Sequence, residues 1–111
     1  MSFFNSEMVQ QEMDNIADIQ RRIVKEIPNF FIMDTEQKLA HIDLLDQLLE
    51  KQQILYTRLT LSDDPDAIKM KEQMLESAKI LGFGPTPDIS VVFNSMRSTI
   101  NSLRKTAQRG N

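Results

Sequence analysis

The chain has 111 residues, with 13 basic and 16 acidic side chains and a formal net charge of −3. Its 41% hydrophobic and 26% charged content suits one globular domain and excludes a disordered or collagen-like chain. With no cysteine and a single histidine, a disulfide framework, a thiolate zinc site, an iron–sulfur cluster and a cysteine nucleophile are all excluded.

Glycine and proline divide the chain into four stretches, each with apolar residues at helical spacing. The first helix is predicted over about 5–27, opening at Asn5 as cap with Phe4 and Val9 as a hydrophobic staple. Pro28 stops it, because proline disfavours α geometry in the residue before it. Its seam, Val9, Met13, Ile16, Gln20, Ile23 and Ile27, steps by three and four like a coiled-coil stripe.

The second helix is predicted over about 35–61, with Asp34 as cap, Gln37 as capping-box partner and Thr35 as a competing cap. One seam is Ile42, Leu45, Leu49, Gln52, Tyr56 and Leu59, and Leu44, Leu48 and Leu55 form a flanking row. Two rows make a face wide enough to touch more than one neighbour.

Asp64-Pro65-Asp66 opens a third helix over about 65–81, and its stripe is Ala67, Met70, Met74, Ala78 and Leu81. Gly82 falls where a left-handed C-terminal residue is wanted. Thr86-Pro87-Asp88 opens a fourth over about 87–107, with seam Ile89, Phe93, Met96, Ile100, Leu103 and Ala107. The fold class is therefore all-α: an elongated antiparallel bundle of about four helices in one domain, with a long hairpin between helices 1 and 2. A compact chain of this size has a radius of gyration of about 13 Å. A 25-residue helix 2, about 37 Å long, would use the whole width of such a molecule. A homodimer is expected, because helix 2 has more apolar rows than one hairpin partner covers.

Chemistry is sparse. Lys38 stands three residues before His41, where a bundle-core metal site needs glutamate, so His41 reads as a surface or half-buried side chain. Asp63, Asp64 and Asp66 lack the glycine and glutamate of a calcium loop and read as helix caps. Gly82-Phe83-Gly84-Pro85 lacks a phosphate-loop lysine and reads as a corner between helices. No catalytic arrangement, metal site or cofactor site is predicted, and the chain is expected not to be an enzyme. No run approaches the roughly 20 apolar residues of a membrane span. No secretory signal or lipidation motif is seen either, so a cytoplasmic location is expected.

Two features suggest interaction. Phe30-Phe31-Ile32-Met33 joins helices 1 and 2. The favoured reading is a plug sealing the end of the core; the functional one is a partner-facing patch, joined by Phe3, Phe4 and the helix 2 residues Leu44, Leu48 and Leu55. After Asp88 no acidic residue follows, while Arg97, Arg104, Lys105 and Arg109 contribute four positive charges. Solvated charge near a helix C-terminus is the simpler reading of these four. Contact with nucleic acid or another anion is the alternative, without aromatic neighbours in the sequence to stack on bases.

The opening Phe3-Phe4-Asn5-Ser6-Glu7-Met8-Val9-Gln10-Gln11-Glu12 resembles that of a small cyanobacterial family catalogued as a domain of unknown function. The likeness continues through the acidic start at Asp34, the long leucine-rich helix ending Arg58-Leu59-Thr60-Leu61-Ser62, and the Gly82-Phe83-Gly84 corner before Thr86-Pro87. It spans roughly residues 3–105; the opening is distinctive, whereas the helices would suit many bundles. Asn5 stands where the family usually has aspartate, and Phe30–Met33 and the basic tail are departures. Such divergence implies a distant member, including one encoded by a virus of cyanobacteria. The resemblance implies no catalytic residues. The reading is of a non-enzymatic interaction or adaptor protein.

Overall fold

Four α-helices carry the regular structure of residues 3–85 and 87–109, which the computed structural model describes. They are α1 (Glu7–Glu26), α2 (Thr35–Thr60), α3 (Pro65–Ile80) and α4 (Ile89–Gln108), with short 3-10 turns at Phe3–Asn5 and Ile27–Ile32. The result is an elongated all-helical bundle with no strand among the described residues.

Helix α1 starts later than Asn5. That residue closes the first 3-10 turn, and Ser6 takes the cap position in an extended conformation without a side-chain capping bond. The turn is tied down elsewhere, since the Phe3 backbone N–H donates to Asp64 Oδ2 at 2.7 Å, across to the start of α3. At α2 both halves of a capping box are present: Gln37 N–H donates to Asp34 Oδ1 at 2.8 Å, and Asp34 N–H donates to Gln37 Oε1 at 3.1 Å.

Helix α3 ends in a Schellman arrangement. Phe83 N–H donates to the Ala78 carbonyl and Gly82 N–H to the Lys79 carbonyl, both at 3.1 Å, with Gly82 at φ +96°. That backbone conformation costs a side-chain-bearing residue and is free to glycine. It turns the chain so that Phe83 packs on the core it has just left. Asp88 caps α4 through Ser90 N–H, which moves the start of the fourth helix beyond Pro87; Thr86 lies outside the described residues.

The core is organised around α2. Ile42 and Leu49 pack with Ile89, Val92, Phe93, Ile100 and Ala107 of α4 and with Ala78 of α3. Leu44, with Leu48 beside it, packs against Ile19 and Ile23 of α1. The first half of both apolar rows of α2 is therefore covered inside the chain, by α1 and by α4. Leu44 is buried and Leu48 half-buried under α1, not on a free surface. Both α1 and α4 run antiparallel to α2. Arg58 Nε donates to Glu12 Oε1 at 2.9 Å near one end of the α1–α2 hairpin, and the His41–Glu26 pair lies at the other. Arg97 and Arg104 of α4 reach Gln53 and Asp43 in reverse order along α2.

Three helices abreast make a slab rather than a ball. The molecule measures 48 × 33 × 19 Å, and its radius of gyration is 16.0 Å, above the compact expectation. A thickness of 19 Å is about two helix diameters.

Candidate functional site

The slab leaves a groove on one side, at the end where α2 finishes. Its volume is about 770 Å³, within the usual range of about 300–1,000 Å³ for binding clefts. Helix α1 contributes Met13, Ile16, Ala17 and Gln20; α2 contributes Gln52, Leu55, Tyr56 and Leu59. Helix α3 adds Met70, Gln73, Met74, Ser77, Ala78 and Leu81, and α4 adds Ile89, Val92, Phe93 and Met96. Phe3 and Phe4 close one side, with rings edge to face at 5.1 Å. The N-terminal turn reaches this position because Asp64 holds its backbone.

Four of the seven methionines of the chain line this groove. Methionine is unbranched and polarisable, so such a wall can adapt to more than one apolar shape. The few polar groups are amides, the Ser77 hydroxyl and the Tyr56 phenol. Burial first, and the nearby Asp88 charge second, push the Tyr56 pKa up, so the phenol is neutral and able to donate a hydrogen bond. No histidine, acid pair or nucleophile–base contact faces the groove, and no group of acidic or histidine side chains suited to a metal exists among the described residues. Its lining is mostly apolar.

Of the residues singled out in the sequence, Phe3, Phe4 and Leu55 line the groove. Phe30 and Phe31 lie elsewhere, in the second 3-10 turn. The plug reading of that segment does not hold for its most apolar members, since Phe31 is 88% and Ile32 83% exposed. The tight 3-10 coil turns them outward, while Phe30 packs at a tilt against His41, ring centres 5.2 Å apart, and has Lys38 over its ring at 5.7 Å. His41 is buried rather than superficial. Its Nδ1 lies 2.7 Å from Glu26 Oε2, so it satisfies its polarity by bridging the end of α1 to the start of α2.

The basic tail is divided by the structure. Arg104 donates to Asp43 at 2.7 Å and also to Asp46, which occupies its guanidinium within the fold. The Asp43 hydrogen bond, opposed by partial burial and aided by Asp46, raises its pKa further. Arg97 donates to Gln53 Oε1 at 2.9 Å. Lys105 and Arg109 are exposed.

Comparison with known families covers nearly the whole chain: residues 1–107 match the family described as "Domain of unknown function (DUF1825)". The chain belongs to the DUF1825 family. No curated protein and no solved structure matches it. In this DUF1825 protein two stretches that carry the family likeness meet in space, because Glu12 of the opening accepts from Arg58 at the end of the long helix. No helix among the described residues is long and apolar enough to cross a membrane.

The groove was missed from the sequence because its walls come from five separate segments. One signal was available: each of Met13, Met70, Met74 and Met96 holds a seam position where a closed core would favour leucine or isoleucine.

Proposed function

We propose that this DUF1825 protein is a non-enzymatic interaction or adaptor protein of cyanobacteria or their phages. In this reading it works in the cytoplasm and its methionine-lined groove receives the apolar face of a partner helix. The observation that carries the reading is the groove itself, with apolar walls from all four helices and no catalytic group among its lining residues. A helix is about 10–12 Å across, and a groove of about 770 Å³ holds one or two turns of its apolar face. The partner helix belongs to another protein or to a second copy of this chain, which would make the homodimer.

Ser77→Glu places a charge on the α3 wall without touching the core cluster. We expect it to abolish partner capture from cyanobacterial extract while circular dichroism stays unchanged. Light scattering separates the two partners, because a second copy gives twice the 12.8 kDa chain mass and Ser77→Glu returns it to monomer. Capture that is equal with and without Ser77→Glu would reject the groove as the partner site.

A further inference from the structure

We propose that two copies of this chain meet, about a two-fold axis, at the turn carrying Phe31 and Ile32. This surface is separate from the groove, so a second copy held here leaves the groove to another protein, and neither reading needs the other. Phe31 and Ile32 are the two most exposed bulky apolar side chains among the described residues. Val24 and Ile27, within the two turns before them, are 65% and 54% exposed. Phe31 is also held in place: its ring meets Phe30 edge to face with centres 5.9 Å apart, and Phe30 packs on the buried His41. An exposed aromatic ring mounted on a buried group loses little freedom on contact, which is what a protein interface asks of its anchors.

The size of the patch fits a dimer. Its four side chains offer about 500 Å² of apolar surface, taking roughly 150–200 Å² for each when fully exposed. A standard interface takes about 800 Å² from each partner, and in homodimers about 65% of it is apolar, again about 500 Å². One patch set on its own copy therefore reaches the apolar area of a stable dimer without help from any other face.

Charge points to a second copy rather than to an oppositely charged partner. A two-fold contact sets a patch on itself, so a patch of one sign would repel its copy. Over residues 18–38 four acidic and four basic side chains balance, but they are unevenly placed. The α1 leg of the hairpin, residues 18–27, carries Asp18, Arg21, Arg22, Lys25 and Glu26, a net +1; the α2 leg, residues 34–38, carries Asp34, Glu36 and Lys38, a net −1. Pairing inside each copy sharpens this contrast. Glu26 binds His41 and Asp18 pairs with Arg21, which leaves exposed Arg22 and Lys25 on the first leg. Lys38 lies over the Phe30 ring, and exposed Asp34 and Glu36 stand on the second leg. With the two-fold axis running between the legs, the basic leg of each copy lies on the acidic leg of the other, twice per dimer. The crossed arrangement sets like charge on like and is disfavoured.

The test is the mass of the full chain in solution, read by light scattering and sedimentation. We expect twice the 12.8 kDa chain mass at about 100 µM, a concentration that populates even a micromolar dimer. The double change Phe31→Ser with Ile32→Ser should weaken association about thirtyfold or more. Lys25→Glu and Glu36→Lys should each weaken it about tenfold. An equal mixture of these two single variants should associate again, because the mixed dimer regains opposite charges at both contacts. All four positions are exposed, so circular dichroism should stay unchanged. Ser77→Glu, on the groove wall, should leave this dimer intact. A monomer at about 100 µM, a dimer unmoved by Phe31→Ser/Ile32→Ser, no recovery in the mixture, or a dimer dissolved by Ser77→Glu overturns the proposal. A monomer that captures a different protein only while Phe31 and Ile32 are intact overturns it in favour of that partner.

Discussion

Ile42→Ala is expected to lower the unfolding free energy by about 3–4 kcal/mol. Ile42 is 0% exposed on α2 and belongs to the core cluster that α2 shares with Ile100 and Ala107 of α4. A fully buried site relaxes only partially around the missing atoms, so the cavity adds to the lost transfer free energy. In a domain of this length the thermal midpoint should fall by about 15 °C. Leu103→Ala is the control: Leu103 is 39% exposed on α4 and should cost about 1 kcal/mol or less. Thermal and urea unfolding followed by circular dichroism read both. If Ile42→Ala cost no more than Leu103→Ala, α4 would not be packed on Ile42 as described.

Asp64→Ala should cost about 2–3 kcal/mol, an unusual amount for a residue outside the apolar core. One carboxylate oxygen accepts from Asp66 N–H at 2.8 Å and caps α3; the other accepts from Phe3 N–H at 2.7 Å, 61 residues away. The cap contributes about 1 kcal/mol, and a charge-assisted bond to a part-buried amide contributes at least as much. Losing the second bond also frees Phe3 and Phe4, which close the groove. The mutant should therefore show both a lower unfolding midpoint and faster hydrogen exchange at the Phe3–Ser6 amides. Asp64→Asn keeps one acceptor oxygen and should lose about half as much. A mutant that lost stability but kept protection at Phe3–Ser6 would mean that the N-terminal turn is held by its rings and not by Asp64.

What could be read in advance follows from how local each cause is. The four-helix architecture is written in seams of three and four, and Gly82 marks a left-handed corner through its own conformational freedom. These signals need only a few consecutive residues. His41 is different: its neighbour at helical spacing is Lys38, and nothing local announces Glu26 across the hairpin. Arg104 reads as a free cation until the antiparallel docking of α4 brings it to Asp43 and Asp46. The same holds for Phe31, whose fate depends on a 3-10 coil tight enough to turn it away from a core that its composition would suit. Phe3, Phe4 and Leu55 stand out in the sequence because they are bulky and near an end or a second seam, and all three line the groove. The methionine wall opposite them belongs to other helices and could not be assembled from spacing alone.

The place of α2 at the centre of the slab has a consequence for how the chain can be cut. Each of the two core clusters is anchored on this one helix, Ile42 and Leu49 in the first and Leu44 in the second. No pair of the outer helices can leave it and keep a core of its own. A fragment ending before α4 would strip one whole side of α2, and a fragment starting after α1 would strip the other. The chain should therefore have no dispensable half, and its two faces should melt as a single unit, not one after the other.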